Sequence, residues 1–288
     1  MSEHRKVAGV YGGDGFHWVG DGFRVTQVFP GAHDLGEKIS PFLLMDYHAP
    51  HVYGPTDAPR GVGVHPHRGF ETVTLAFEGA VEHRDSTGAG GVIRSGDVQW
   101  MTAARGILHK EHHETEWAAR GGTMHMMQLW VNLPAAHKMD DPGYQGLEAS
   151  AMGVVPVDGG VVTVVAGEYE GVRGPARTHT PINLWRARLE PGGSMAMLFP
   201  ATDNAAVFVM EGSITANGTE AGEHRLVLFE NEGSEITVTA PEGAHVLVLS
   251  GTPLGEPVVA YGPFVMNTID EIRAAHRDFA RGDFGTLV

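Results

Sequence analysis

An all-β architecture is predicted, with many short strands arranged in two successive domains. Three observations predict it. Short runs rich in Val, Ile, Thr and aromatic residues recur along the whole chain, each bounded by Gly, Pro, Asn or Asp. The 288 residues include 40 Gly and 17 Pro, too much turn-former for a helical bundle and without a collagen period. The runs follow one another at roughly 8–12 residues, the rhythm of a sandwich or barrel.

The first run is Phe23–Phe29, followed by Glu71–Phe77, Gly91–Ile93 and Met126–Leu133. Several of them alternate apolar and polar residues, as half-buried strands do. The segment from Pro134 to Pro156 contains PAAHKMDDPGYQG and is poor in such runs, so the connection between two domains is expected there. This gives domains at 1–138 and 139–288. Further runs follow at Val161–Val165, Asn183–Leu189, Ala206–Met210, Leu226–Phe229, Glu235–Thr239 and His245–Ser250. The two halves share this rhythm, which hints at duplication. One helix is expected at the end, over Thr268–Phe279. Thr268 can cap it, with Glu271 three residues on as its capping-box partner. Ile269, Ile272, Ala275 or His276, and Phe279 would form one face, covering a sheet edge or core.

Composition excludes several function classes. A formal net charge of −15 repels polyanions, and no basic run offsets it, so direct nucleic-acid binding is not expected. With no Cys, disulfides, thiolate metal sites and thiol nucleophiles are excluded. No apolar stretch is long enough for a membrane span. The start, MSEHRKVAGVYGGDGF, carries no signal-peptide pattern, and a cytoplasmic location is expected.

Histidine is distributed unevenly: 13 of the 17 precede Met139. Metal binding and acid–base work are the chemical reasons to concentrate imidazoles. His65-Pro66-His67 puts two imidazoles on one face of a strand, because residues i and i+2 share a face. Pro66 cannot donate to a ladder and suggests an edge strand or bend. His109-Lys110-Glu111 is a second i, i+2 pair. Together the pairs would form a site of three His and one carboxylate, a donor set suited to Fe, Mn, Ni, Cu or Zn. A lone H-x-H pair is a weak signal; two pairs within one β domain are a stronger one. His112 and His113 are expected in a solvated loop. His48, His51, His83 and His125 are expected to be ordinary hydrogen-bonded polar residues, with His125 placed to reach the neighbourhood of the site.

Longer motifs resemble the pirin family of cupins. They are HPHRGFETVTLAFEGAVEHRDSTG (His65–Gly88), GDVQWMTAARGILHKE (Gly96–Glu111) and MQLWVNLP (Met127–Pro134). SPFLLMDYHAP (Ser40–Pro50) and GEPVVAYGPFVMNT (Gly255–Thr268) extend the resemblance over most of the chain. It implies a double cupin, two consecutive β-barrels or jelly rolls with a short C-terminal helix. It also implies one metal in the N-terminal barrel, most often iron, held by His65, His67, His109 and Glu111. Cupins generally place a carboxylate where Glu71 stands; the pirin pattern uses Glu111 instead and leaves Glu71 beside the site or structural. The C-terminal barrel, with His179, His224 and His245 but no H-x-H, is expected to be metal-free.

Two functions follow from the resemblance. One is a quercetin 2,3-dioxygenase-like enzyme acting on a flavonol, with Glu111 as the general base. Arg68 and Gln128 would then lie near the substrate and Trp130 would line the barrel, although a solvated position for Arg68 and a core position for Trp130 are the plain alternatives. The other is a regulatory protein that binds a transcription factor or metabolic enzyme in a metal-dependent way. A different cupin reaction is a third option. By family analogy the chain would be a monomer.

Overall fold

A computed structural model describes residues 3–287 apart from 32 and 34. The first half runs through β1 (Val7–Gly12), β2 (His17–Val19), β3 (Phe23–Phe29), β4 (Phe42–Tyr53), β5 (Gly61–His67) and β6 (Phe70–Glu78). It continues with β7 (Ala80–Asp85), β8 (Gly90–Arg94), β9 (Val98–Thr102), β10 (Ile107–His113), helix α1 (Thr115–Arg120), β11 (Gly122–Asn132) and β12 (Gly143–Leu147). The second half supplies β13 (Gly153–Ala166), β14 (Glu168–Tyr169), β15 (Val172–Arg173), β16 (Ile182–Leu198), β17 (Asn204–Gly212), β18 (Ile214–Ala216) and β19 (Thr219–Ala221). Then come β20 (Arg225–Phe229), β21 (Glu235–Ala240), β22 (Ala244–Gly251), β23 (Val259–Tyr261), β24 (Phe264–Met266) and helix α2 (Ile269–Arg281). The fold is all-β with a short C-terminal helix, as expected.

The chain forms two compact units, and neither is continuous in sequence. One comprises 15–27, 42–149 and 255–287; the other comprises 3–14, 150–254 and the described part of 28–41. The units therefore do not divide at the expected 138/139 cut. The reason is pairing at both chain ends. β1 adds antiparallel to β20 and so joins the C-terminal barrel. β23, β24 and α2 pack with the N-terminal barrel. The segment between the barrels is not strand-free either, because β12 pairs with β9. Its GYQGL sequence has little β-branched character, and a short edge strand of that kind leaves almost no signal.

The C-terminal barrel is a nine-stranded antiparallel sheet in the order β1-β20-β17-β22-β16-β21-β18-β19, with β13 on β16. β16 turns a corner at Pro191-Gly192-Gly193, pairing with β22 before it and β21 after it. Gly192 takes φ +82, which a side-chain-bearing residue rarely adopts. Ala205, Val207 and Val209 of β17 and Val246 and Val248 of β22 point into one apolar core with Trp185, Met195, Phe229 and Val238.

The N-terminal barrel is built from a seven-stranded sheet, β12-β9-β6-β11-β4-β3-β2, and a four-stranded sheet, β5-β10-β7-β8. An apolar cluster including Phe23, Ala76, Val81, Ile93, Trp117 and Met126 fills one part. The unit also buries polar residues, among them Glu71, His83, Gln99, His109 and Glu111.

α2 starts as its sequence dictates. Thr268 accepts from the Glu271 N–H while the Glu271 carboxylate accepts from the Thr268 N–H, a complete capping box. Ile272 and Ala275 are its buried residues and pack with Phe264, Met266 and Phe284. Ile269 and Phe279, expected on the same face, are instead exposed. Removing the cap hydroxyl with Thr268→Ala should cost about 1 kcal/mol in chemical denaturation; an unchanged midpoint would contradict the role given to the cap. Among the described residues, no helix is long and apolar enough to cross a membrane.

Candidate metal centre

β5 lies at the edge of the four-stranded sheet, so Pro66 costs no ladder bond there. Its antiparallel register with β10 sets His65 opposite His109 and His67 opposite Ile107. Residues directly opposite share a face, as do i and i+2 positions. The imidazoles of His65, His67 and His109 therefore converge. Their ring centroids lie 4.9 Å (His65–His67), 4.1 Å (His65–His109) and 4.8 Å (His67–His109) apart. One nitrogen from each falls within 4.8 Å of the others.

Hydrogen bonds select which nitrogens are available. His65 Nδ1 faces the Gly63 carbonyl at 2.8 Å, and His67 Nδ1 faces the Pro263 carbonyl at 3.4 Å. Each ring then donates from Nδ1 and keeps its Nε2 lone pair free. His109 Nε2 is fully buried and has no hydrogen-bond partner. A buried polar atom without a partner is costly, and a cation would satisfy it. Burial, then the neighbouring His65, pushes His67 down to about 3. Burial, then His67, His65 and His83, holds His109 well below the ordinary histidine value. Both rings are neutral at neutral pH, as metal ligation requires. The donor set fits a divalent transition metal.

Glu111 is buried on β10 and belongs to a second group, with His83 and His109, whose ligand atoms also lie within 4.8 Å of one another. Its Oε1 is 3.3 Å from Thr74 Oγ1, 3.3 Å from Gln99 Nε2 and 3.9 Å from His83 Nδ1. Burial by itself would raise this carboxyl, but the nearby imidazoles, His83 first and then His65 and His67, hold it below its ordinary value. The four sequence-expected ligands are thus divided between two overlapping trios joined at His109, with His83 completing the second and Glu111 on the side away from β5.

His83 is the residue sequence reasoning missed. It was expected to be an ordinary polar residue, yet it is fully buried at the centre of the second trio and stacked on Tyr144 at 5.3 Å. The register of β7 against β10 pairs His83 with Glu111 and Asp85 with His109. The signal was a third i, i+2 pair, His83-Arg84-Asp85, in the same domain.

The other expected neighbours divide. Gln128 accepts from Thr74 Oγ1 at 2.7 Å and so stands next to Glu111's own partner. Trp130 is half-buried, 5.3 Å from His67 and 4.2 Å from Phe70 by ring centroid. Glu71 is buried and accepts from Thr102 Oγ1 at 2.6 Å, a structural contact. His125 bonds Tyr47 at 2.9 Å and packs on Phe77, away from the three-histidine group. His48 is satisfied by the Ala49 carbonyl and Tyr53, each at 2.9 Å. His113 is not in a solvated loop: both it and His112 lie on β10, and buried His113 bonds the Gly22 carbonyl at 2.8 Å.

Arg68 is neither solvated nor turned toward the histidines. It is buried, its Nη1 donates to Asp278 of α2 at 2.8 Å, its Nε donates to the Arg105 carbonyl, and its guanidinium lies 4.7 Å from the Phe284 ring. The adjoining Gly69 takes φ +89, and a Cβ there would collide with the Val265 carbonyl. Lys138 Nζ ties this turn down, donating to the carbonyls of Gly69 at 2.6 Å and Val265 at 3.0 Å and to Asn132 at 2.6 Å. Burial lowers its pKa to about 8.

The chain is similar to known proteins over most of its length. A family model described as Pirin matches residues 22–131, and one described as Pirin C-terminal cupin domain matches residues 184–285. A Pseudomonas aeruginosa protein, provisionally named a quercetin 2,3-dioxygenase, is 47% identical over 97% of this chain and 98% of its own length. The crystal structure of a quercetin 2,3-dioxygenase from Acinetobacter baumannii superposes with a TM-score of 0.96 at 45% identity, covering 99% of this chain and all of that one. A bacterial pirin from Escherichia coli, solved in complex with nickel(II), shares the fold at a TM-score of 0.66 and 21% identity, over 85% of this chain and 99% of its own.

Proposed function

Because the chain belongs to the pirin family, we propose that it is a metal-dependent oxygenase that opens the ring of flavonol-like substrates of the quercetin type. The observation that carries this reading is the convergence of three imidazoles on an unpartnered, buried His109 Nε2, in a chain so similar to a structure bearing that activity's name. His65, His67, His109 and Glu111 would hold the metal. Fe(II) is the proposed ion, and Mn, Ni, Cu or Zn would also accept these donors.

A divalent cation bound there supplies the Lewis acidity that lowers the pKa of a flavonol 3-hydroxyl. Glu111 takes that proton on its carboxylate. Thr74 and Gln99, both within hydrogen-bond reach of Oε1, hold the carboxylate in place. Half-buried Trp130, backed by buried Phe70, offers an apolar face for the aromatic rings of the substrate. The buried walls exclude water, so that oxygen and not solvent meets the activated ring. Both oxygen atoms enter the product as the ring opens and carbon monoxide leaves.

The test is direct. Incubated with quercetin and oxygen, the Fe(II)-loaded protein should consume the flavonol absorbance and release about one carbon monoxide per flavonol. No turnover at full metal occupancy would sink the oxygenase reading and favour a metal-dependent role in binding a protein partner.

A further inference from the structure

Behind His109, on the side away from β5, three buried groups stand in line: His109, His83 and Asp85. His109 Nδ1 lies 3.4 Å from His83 Nδ1. His83 Nε2 lies 3.5 Å from Asp85 Oδ2, and neither of these atoms has a hydrogen-bond partner. Asp85 is fixed from its other oxygen. Its Oδ1 accepts from the Thr87 N–H at 2.8 Å, the Thr87 hydroxyl at 2.6 Å and the Ala89 N–H at 3.2 Å, in the turn between β7 and β8. That leaves Oδ2 aimed at His83.

The neighbours determine where the protons sit. Glu111 Oε1 can only accept while ionised, so the Gln99 atom 3.3 Å from it is the amide nitrogen. That same nitrogen is 3.1 Å from His83 Nδ1. With the ring neutral, His83 Nδ1 then accepts from that amide, and the proton of His83 rests on Nε2, toward Asp85. Its Nδ1 lone pair is shared between the Gln99 amide and the ring N–H of His109. A proton on His109 Nδ1 leaves the lone pair on Nε2, the buried atom with no partner.

We infer that Asp85 and His83 are positioning residues that hold His109 as its Nδ1–H tautomer and so aim its Nε2 lone pair at the metal. This inference rests on the metal reading above. Metal-bound histidines commonly donate their second nitrogen to a carboxylate or carbonyl. Here the acceptor is another imidazole, set in turn by a carboxylate, and Tyr144 stacks on its face.

One measurement needs neither metal nor variant. In the metal-free wild-type chain labelled with 15N-histidine, imidazole nitrogen shifts should report His109 as the Nδ1–H tautomer and His83 as Nε2–H. A His109 protonated at Nε2 would overturn the inference. A second measurement is titration with Co(II). His83→Phe keeps a ring against Tyr144 but offers no acceptor. It should weaken Co(II) binding about 10- to 100-fold and change the visible Co(II) spectrum. His83→Gln, whose amide oxygen can accept from His109, should recover much of both. If all three proteins bind Co(II) with equal affinity and the same spectrum, the positioning role is wrong and the metal reading stands. If the wild type itself binds no Co(II), both fall.

Discussion

His109→Ala is expected to lower metal affinity by more than about 100-fold, leaving the purified protein essentially metal-free by elemental analysis. The reasoning begins with geometry, since His109 is the one residue common to both groups of candidate ligands. Even partners one step removed from a metal cost about 10–100-fold when lost, so removal of a direct ligand should exceed that. The substitution should also destabilise the metal-free chain, because a fully buried ring is replaced by a methyl group. It deletes a ring whose Nε2 is already without a partner, at the expense of a cavity. His65→Ala and Glu111→Ala should also lose metal sharply, whereas His245→Ala, in the other unit, should keep it. Full occupancy in His109→Ala would refute the assignment.

The second large effect concerns stability. Asp278→Ala would leave the Arg68 guanidinium buried without its counter-charge. Breaking a buried pair costs about 3–5 kcal/mol. The lower end applies here, because Asp278 is 21% exposed and Arg68 retains the Arg105 carbonyl. Chemical denaturation should show this loss at neutral pH. The pair also has a defined pH window. The hydrogen bond from Arg68 holds the Asp278 carboxyl below its ordinary value. Its contribution is therefore complete above the ordinary aspartate pKa of about 3.9 and fades only as pH falls through the lowered one. Equal denaturation midpoints for wild type and Asp278→Ala at neutral pH would show that the pair adds nothing.

The amount of this that was legible varied with the range of the interaction. The pairs His65/His67 and His109/Glu111 could be read because strand periodicity is local. Pro66 marked an edge strand for the same reason, and Thr268 with Glu271 marked the start of α2. His83 escaped because its role depends on the register of β7 against β10, and register is fixed by the whole sheet. Arg68 was misplaced because its partner lies 210 residues away on α2; no local pattern announces a counter-charge that distant. β12 escaped because glycine-rich edge strands carry little β propensity. The expected division at 138/139 followed the rhythm of the strands, which is blind to a terminal segment paired with a distant part of the chain.

That discontinuity has a consequence for the order in which the protein is made. The unit that holds the histidine cluster needs Asp278 for Arg68 and the Phe284 carbonyl for the Ser86 hydroxyl. These residues are translated well after the histidines. The histidines are therefore synthesised before the helix that completes their scaffold. The other barrel, whose latest residue is Leu254, has all its parts first, so the candidate metal centre becomes whole only after it.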